Sequence, residues 1–307
     1  MERIRDVRLA RDMGIADLIK LYGEIHGFMA GHLYKAIEIL REMKNTCDVR
    51  FLSFTGNLVA TGVRGIIAQL IESGVFNAVV TTCGALDHDI ARSFGGVYSK
   101  GFFDADDIEL RRLGIHRLGN VFIPVDGYGP LVERIVRSVL SELSSNNPGK
   151  VWSVREIIHE IGKRISDEHS ILRAAYRTGT PVFVPGFLDG AFGTALFMFK
   201  QFNRFDIDVF ADEKELADIV FGSKRMGALI IGGGISKHHT LWWAQFKEGL
   251  EYVVYVTTAT EWDGSLSGAR PREAISWGKV KEGSKRVVVY ADASLVLPII
   301  AYGVMYM

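Results

Sequence analysis

Continuous apolar runs, rich in β-branched and aromatic residues, recur along the chain at 49–54, 78–82, 181–184, 228–231, 252–257 and 286–290. They do not alternate with polar residues, which is the pattern of strands covered on both faces. Between them the apolar spacing shifts to the helical period. In 61–73, Val63, Ile66, Ile67, Leu70 and Ile71 fall on one face, and 130–143, 154–177, 213–221 and 238–249 behave alike. Alternation of strand and helix over most of the length predicts an α/β protein with a doubly wound, mostly parallel sheet. Residues 1–45 precede the first strand, read as helical, and are expected to form an N-terminal extension on a catalytic domain spanning 46–307, a single domain overall. The polar stretch 144–150 (SSNNPGK) reads as a loop joining elements. The uncharged tail 293–307 is too short to span a bilayer and contains Pro298, so it reads as a buried final helix.

Composition narrows the class. Of 307 residues, 48% are apolar and 23% charged, enough to bury a large core. Lys+Arg and Asp+Glu both number 36, so the chain lacks the basic surplus of a general nucleic-acid or anionic-membrane binder. Cys47 and Cys83 are the only cysteines, which argues against a disulfide framework or a cysteine-based metal site and for a reducing compartment. The N-terminus, MERIRDVRLARD, is charged from its second residue and has no apolar signal core. A soluble, cytoplasmic protein is the expectation.

Ligands of open parallel sheets bind beyond the carboxyl ends of the strands. The residues there are Thr55-Gly56-Asn57, Thr82-Cys83-Gly84, 186–190 (GFLDG, with Asp189), Gly232-Gly233-Gly234, Thr258-Ala259 and Asp292-Ala293-Ser294. All are small or carry one short polar group. Each glycine taken alone could be a turn residue; six such turns together suit close approach of a large flat ligand, with carboxylates for ribose hydroxyls. No G-x-G-x-x-G opens the first strand–helix unit and no phosphate-binding P-loop occurs, so a dinucleotide would bind outside the common fingerprint.

Two segments carry candidate chemistry. GGGISKHH, at 232–239, follows an apolar strand and opens a helix. A helix N-terminus disfavours the imidazolium, so His238 could serve as a neutral base; a structural histidine is the plain alternative. A metal pair is a third reading, although adjacent histidines point apart on a helix. The second segment, 261–279, is a polar, Gly-rich loop leading to Glu273, Trp277 and Lys279. An apolar wall beside Lys279 would free its amine for Schiff-base chemistry, and a carboxylate would suit a cationic substrate. Taken singly, a surface lysine lying on Trp277 is the commoner arrangement.

FLSFTGNLVATG, VVTTCG, LDGAFG, IIGGGISKHH, DGSLSGARPREAISWGK and YADASLVLP, in this order, resemble the signature blocks of the deoxyhypusine synthases, archaeal branch. The resemblance implies a Rossmann-like NAD-binding fold and an NAD-dependent aminobutyl transfer. Spermidine is dehydrogenated, its 4-aminobutyl group passes through a lysine imine with release of 1,3-diaminopropane, and one lysine of the initiation factor 5A precursor receives it. Lys279 matches the imine-forming lysine and His238 the proton-abstracting histidine. The implied NAD contacts are Gly56, Asn57, Thr82, Cys83, Gly84, Asp189, Thr258, Ala259, Gly264, Ser265, Asp292 and Ala293. Asp87, His88, Gly233, Glu273 and Trp277 match parts of the polyamine pocket. No metal is implied, and the family's homotetramer, a dimer of dimers, places active sites between subunits.

Relative to the eukaryotic pattern, His88, Thr194, Leu266 and Trp242 replace polar polyamine contacts, three of them carboxylates. Asp87, Asp89, Asp263 and Glu273 are the acidic groups left to meet a polyamine. Two other functions share these motifs. One is a homospermidine synthase, which sends the aminobutyl group to a small amine; the other is a catalytically silent NAD-binding regulatory subunit.

Overall fold

Five of the apolar runs pair side by side. In a computed structural model that describes residues 3–307, the strands Val280–Tyr290, Leu250–Thr257, Met226–Ile231, Val49–Phe54 and Ala78–Val80 lie in that order, every neighbouring pair parallel. Residues 1–2 of the expected N-terminal extension lie outside the described residues. The strands belong to one compact unit, made of the chain up to Phe54, Ser73–Val80 and Leu216–Met307; a second unit comprises Thr55–Glu72 and Thr81–Glu215.

Within the first unit the sheet is covered on both faces. Side chains alternate along a strand, and Tyr252 and Tyr255 therefore point to opposite sides. Tyr252 donates its hydroxyl hydrogen to Glu42 (2.9 Å) in the helix Met29–Thr46, whereas the Tyr255 ring meets Lys237 from the helix Gly234–Ala244. Two-sided cover explains the unbroken apolar runs, and the mixed α/β, parallel-sheet fold is as expected. The final helix, Ala293–Tyr306, buries Leu297, Ile300, Ala301 and Val304 despite Pro298 in its interior.

The helical reading of residues 1–45 holds from Ile15 onward, in Ile15–Ile25 and Met29–Thr46. Residues 3–10 carry no regular structure. Ile4 and Leu9 are 71% and 78% exposed, so this segment buries no apolar stripe that would offset the cost of ordering a helix.

In the second unit, the helix expected at 154–177 is two helices, Val154–Arg164 and Ile171–Thr178. The break serves the buried Asp89 carboxylate, which accepts from Ser170 Oγ (2.7 Å) and from the N–H groups of Ile171 (3.2 Å) and Leu172 (2.9 Å). Arg64, also buried, completes the set with Nε 2.5 Å from Asp89 and Nη1 2.6 Å from Asp167. Ser170 in turn caps the second helix by accepting from Arg173 N–H. A small antiparallel sheet in the order Ser99–Lys100, Val121–Pro124, Ile115–Leu118 was not legible in the sequence. Its strands are two to four residues long and largely uncovered, so no apolar run marks them.

His88 sits on the helix Cys83–Ser93 with its Nδ1 2.7 Å from the Tyr98 hydroxyl and its ring 4.9 Å from that of Tyr128. Burial, and secondarily the charge of Arg92, lowers its pKa from 6.5 to about 4. The folded state therefore binds fewer protons than the unfolded chain between those two values, so stability is complete above pH 6.5 and falls as pH drops toward 4. The expected loss from this one group by pH 4.5 is roughly 2–3 kcal/mol. Urea melts of the wild type and of His88→Gln at pH 7 and pH 4.5 should show that the variant loses less stability between the two; equal losses would remove His88 as a source.

Candidate active site

Gly232-Gly233-Gly234 ends the Met226–Ile231 strand and starts the helix Gly234–Ala244. The turn needs glycine for two reasons. Gly234 has φ +66°, and a Cβ on Gly233 would lie 2.0 Å from Ser267 Oγ. The missing side chain lets the 264–270 loop lie directly on the helix start.

One turn into that helix is Lys237, 1% exposed. Its ammonium donates to the carbonyls of Leu266 (2.7 Å) and Ala269 (2.8 Å), and Nζ lies 4.1 Å from the centre of the Tyr255 ring. Burial lowers its pKa to about 8, against a smaller opposing pull from Glu273. Sequence reasoning passed over Lys237 in favour of its neighbour. The signal was present, because Lys237, Thr240, Leu241 and Ala244 follow the i, i+3, i+4, i+7 spacing of a buried face, and all four are buried.

His238, next on the helix, is exposed, and its ring stacks on Trp242 one turn later at 5.8 Å and 23°. Partial burial, and then the nearby charge of Lys279, hold its pKa below the ordinary histidine value. Lys279 precedes the Val280–Tyr290 strand. Its N–H donates to Ala274 (3.0 Å) and its carbonyl accepts from Leu250 (3.0 Å), which pins the backbone beneath the amine. Its Nζ lies 5.1 Å from the centre of Trp277 and 5.7 Å from that of Trp242.

Lys237, His238, Trp242, Tyr255, Glu273, Trp277 and Lys279 all line one cavity of about 290 Å³, closed further by Leu241 and Leu266. The Tyr255 hydroxyl is buried with no hydrogen-bond partner among the described residues. The cavity thus brings together two lysine amines, a neutral-leaning imidazole, one carboxylate and three aromatic faces.

The remaining expected residues fall into two groups. In the first unit, Thr258, Ala259, Gly264, Ser265 and Asp292 lie on loops after the strands, and Ala293 begins the helix Ala293–Tyr306, which Asp292 caps through Ser294 N–H (2.7 Å). In the second unit, Gly56 lies so close to the helix Cys83–Ser93 that a Cβ would sit 2.6 Å from Ala85 N, and Thr82 immediately precedes that helix without a side-chain cap. Asn57 accepts from Thr55 Oγ1 (2.6 Å) and Asp189 is exposed. Cys83 and Gly84 begin the Cys83–Ser93 helix, where burial pushes the Cys83 thiol up to about 12 and leaves it unreactive. Of the four carboxylates considered for a polyamine, Asp89 is spent on Arg64 and a helix start. Asp87 accepts from Ala191 and Phe192 N–H (both 2.8 Å) at another helix start, and its burial raises its pKa. Asp263 turns back on Ser265 N–H (2.7 Å), which leaves Glu273 as the one of the four that lines the cavity.

A profile of the deoxyhypusine synthases matches residues 17–304. A relative from Aeropyrum pernix, named probable deoxyhypusine synthase, is 59% identical over 98% of both chains. One of the same name from Ignicoccus hospitalis is 56% identical over 99% of this chain and 96% of its own. The fold also matches a crystal structure from Entamoeba histolytica assigned to deoxyhypusine synthase, with TM-score 0.66 and 20% identity over 98% of this chain and 96% of that one. With the profile running almost from end to end and archaeal relatives alike over their full lengths, the chain belongs to the deoxyhypusine synthase family.

Proposed function

We propose that this chain is an NAD-dependent aminobutyltransferase that takes the 4-aminobutyl group of spermidine onto Lys279 and delivers it to one lysine of the initiation factor 5A precursor. The observation that carries this reading is the setting of Lys279, a half-buried primary amine beside two indole faces, on the cavity that also holds His238 and Glu273.

The chain's own residues suit each task. Glu273 offers the polyamine a carboxylate, while Leu241, Leu266 and the Tyr255 ring offer its methylenes an apolar wall. The depressed pKa of His238 keeps its imidazole neutral at pH 7, free to take the proton that a secondary amine releases on oxidation. Lys279, deprotonated, attacks the oxidised carbon and 1,3-diaminopropane departs.

A dinucleotide fits the strand ends of the first unit. Gly264 has φ +74° and open space where a side chain would be, and Asp292 presents an exposed carboxylate suited to ribose hydroxyls. Thr258, Ala259, Gly264, Ser265, Asp292 and Ala293 would hold it there. When bound, NAD supplies an acceptor for the hydride of spermidine and a donor for the final reduction. Lys237 anchors the loop bearing Gly264 and Ser265, and so positions part of that surface. A homotetramer belongs to the same reading. Trp262 and Leu295, 82% and 71% exposed on segments that carry the NAD residues, are surfaces that a second copy would cover.

Five outcomes test this reading. Borohydride reduction of the protein with NAD and spermidine should leave a butylamine adduct on Lys279 and free 1,3-diaminopropane in solution. Lys279→Arg should bind NAD normally and lose the adduct by at least ~100-fold, because a guanidinium forms no imine; turnover by that variant would place the nucleophile elsewhere. NADH formation should hold its rate below pH 6.5, since a base with a lowered pKa stays neutral to lower pH; an acid limb centred at or above pH 6.5 would count against His238. Lys237→Met should raise the KM for NAD roughly tenfold or more while the protein stays folded, and an unchanged KM would detach Lys237 from the loop. Supplying putrescine in place of the protein acceptor separates homospermidine formation from deoxyhypusine formation.

A further inference from the structure

Trp242 has no evident task in the core. It is 45% exposed, yet its indole makes two defined contacts: the imidazole of His238 stacks on it at 5.8 Å and 23°, and the Lys279 ammonium lies 5.7 Å from its centre. Phe246 supports it edge-on at 5.9 Å and 85°. The contact with His238 follows from helix geometry, because residues four apart share a face. The contact with Lys279 comes from a different segment, which reaches the cavity through the Pro271–Ser276 helix. One side chain therefore touches both the candidate base and the candidate nucleophile.

We propose that Trp242 is a positioning residue that, with Trp277, cages the Lys279 cation and fixes the His238 ring beside it. The proposal rests on the aminobutyl-transfer reading only for its catalytic consequence; the cage itself is a property of the unliganded protein. An ammonium is attracted to an indole face, and so is the protonated imine that replaces it. In the transfer step the neutral Lys279 amine bonds to the iminium carbon of the oxidised polyamine, the bond from that carbon to the departing nitrogen breaks, and the departing amine leaves neutral after taking the proton that Lys279 gives up. One positive charge is present before and after, and afterwards it rests on Nζ. A cage built from two indoles stabilises it there without a second carboxylate beside Glu273, one that would fold back onto Lys279 as a counter-ion. The other charged groups on this cavity are Lys237, Arg270 and Glu273. Lys237 is spent on loop carbonyls, Arg270 is paired with Glu261 at 2.8 Å, and Glu273 is the carboxylate that the proposed function gives to the polyamine.

The test starts with the unliganded protein. Trinitrobenzenesulfonate labelling of Lys279, followed by peptide mass spectrometry from pH 7 to 10, reads the amine directly. Trp242→Asn should label at least ~3-fold faster at pH 7.5, while Trp242→Phe, which keeps an aromatic face, should stay near the wild type. Identical labelling curves for wild type and Trp242→Asn, with both folded by circular dichroism, would overturn the cage. The second arm is borohydride trapping with NAD and spermidine, in which Trp242→Asn should show a several-fold smaller adduct fraction that Trp242→Phe restores. An equal adduct fraction in all three overturns the role of Trp242 in transfer. Absence of adduct from the wild type itself would overturn the transfer reading, with the labelling result still deciding the cage.

Discussion

Burying an ammonium costs several kcal/mol unless its protons find acceptors, and the geometry of the site depends on how Lys237 meets that demand. Its amine takes the carbonyls of Leu266 and Ala269 and rests on the ring of Tyr255. Those contacts join a helix, a sheet strand and a polar loop that has little regular structure of its own. Glycines remove the obstacles at the closest approaches: a Cβ on Gly268 would lie 1.8 Å from the Thr260 carbonyl oxygen, as one on Gly233 would strike Ser267. The loop continues into Pro271–Ser276 and Lys279, so its anchoring also sets where the Lys279 amine emerges.

The distribution of charge follows a second economy. The second unit's buried acids serve its own folding: Asp87 and Asp89 stop helix N–H groups that would otherwise be left without acceptors. They are held by short bonds in places water does not reach. The cavity around Lys279 is left with a single carboxylate, Glu273, and with indole and phenol faces. Aromatic faces hold cations more weakly than carboxylates do in a dry site, but they need no desolvated counter-charge.

Much of this was legible in the chain. The five parallel strands announced themselves because strands covered on both faces are apolar throughout, and the strand-end turns at Gly232–Gly234 and Thr258-Ala259 followed from that placement. His238, Trp277, Glu273 and Lys279 were found as motif residues, and they do share one cavity. What escaped was of another kind. The break between Val154–Arg164 and Ile171–Thr178 has a local cap in Ser170, but its bonds to Asp89, a residue far away in the chain, are encoded by no local pattern. The small sheet at 99–124 lacks apolar runs because little covers it.

Local pattern, then, determined what depends on near neighbours: the strand and helix periods, the glycine turns, the helix-start histidine and the family signature blocks. Tertiary structure alone decided which charges line the cavity and which serve the fold. Asp87, Asp89 and Glu273 look alike in sequence, as do Lys237 and Lys279. Their roles diverge because burial sets the cost of a charge, and partners from distant segments decide whether that cost is met. Three-dimensional placement supplies both, so an acid became a helix cap, one lysine became an anchor, and the other was left with its amine beside two tryptophans.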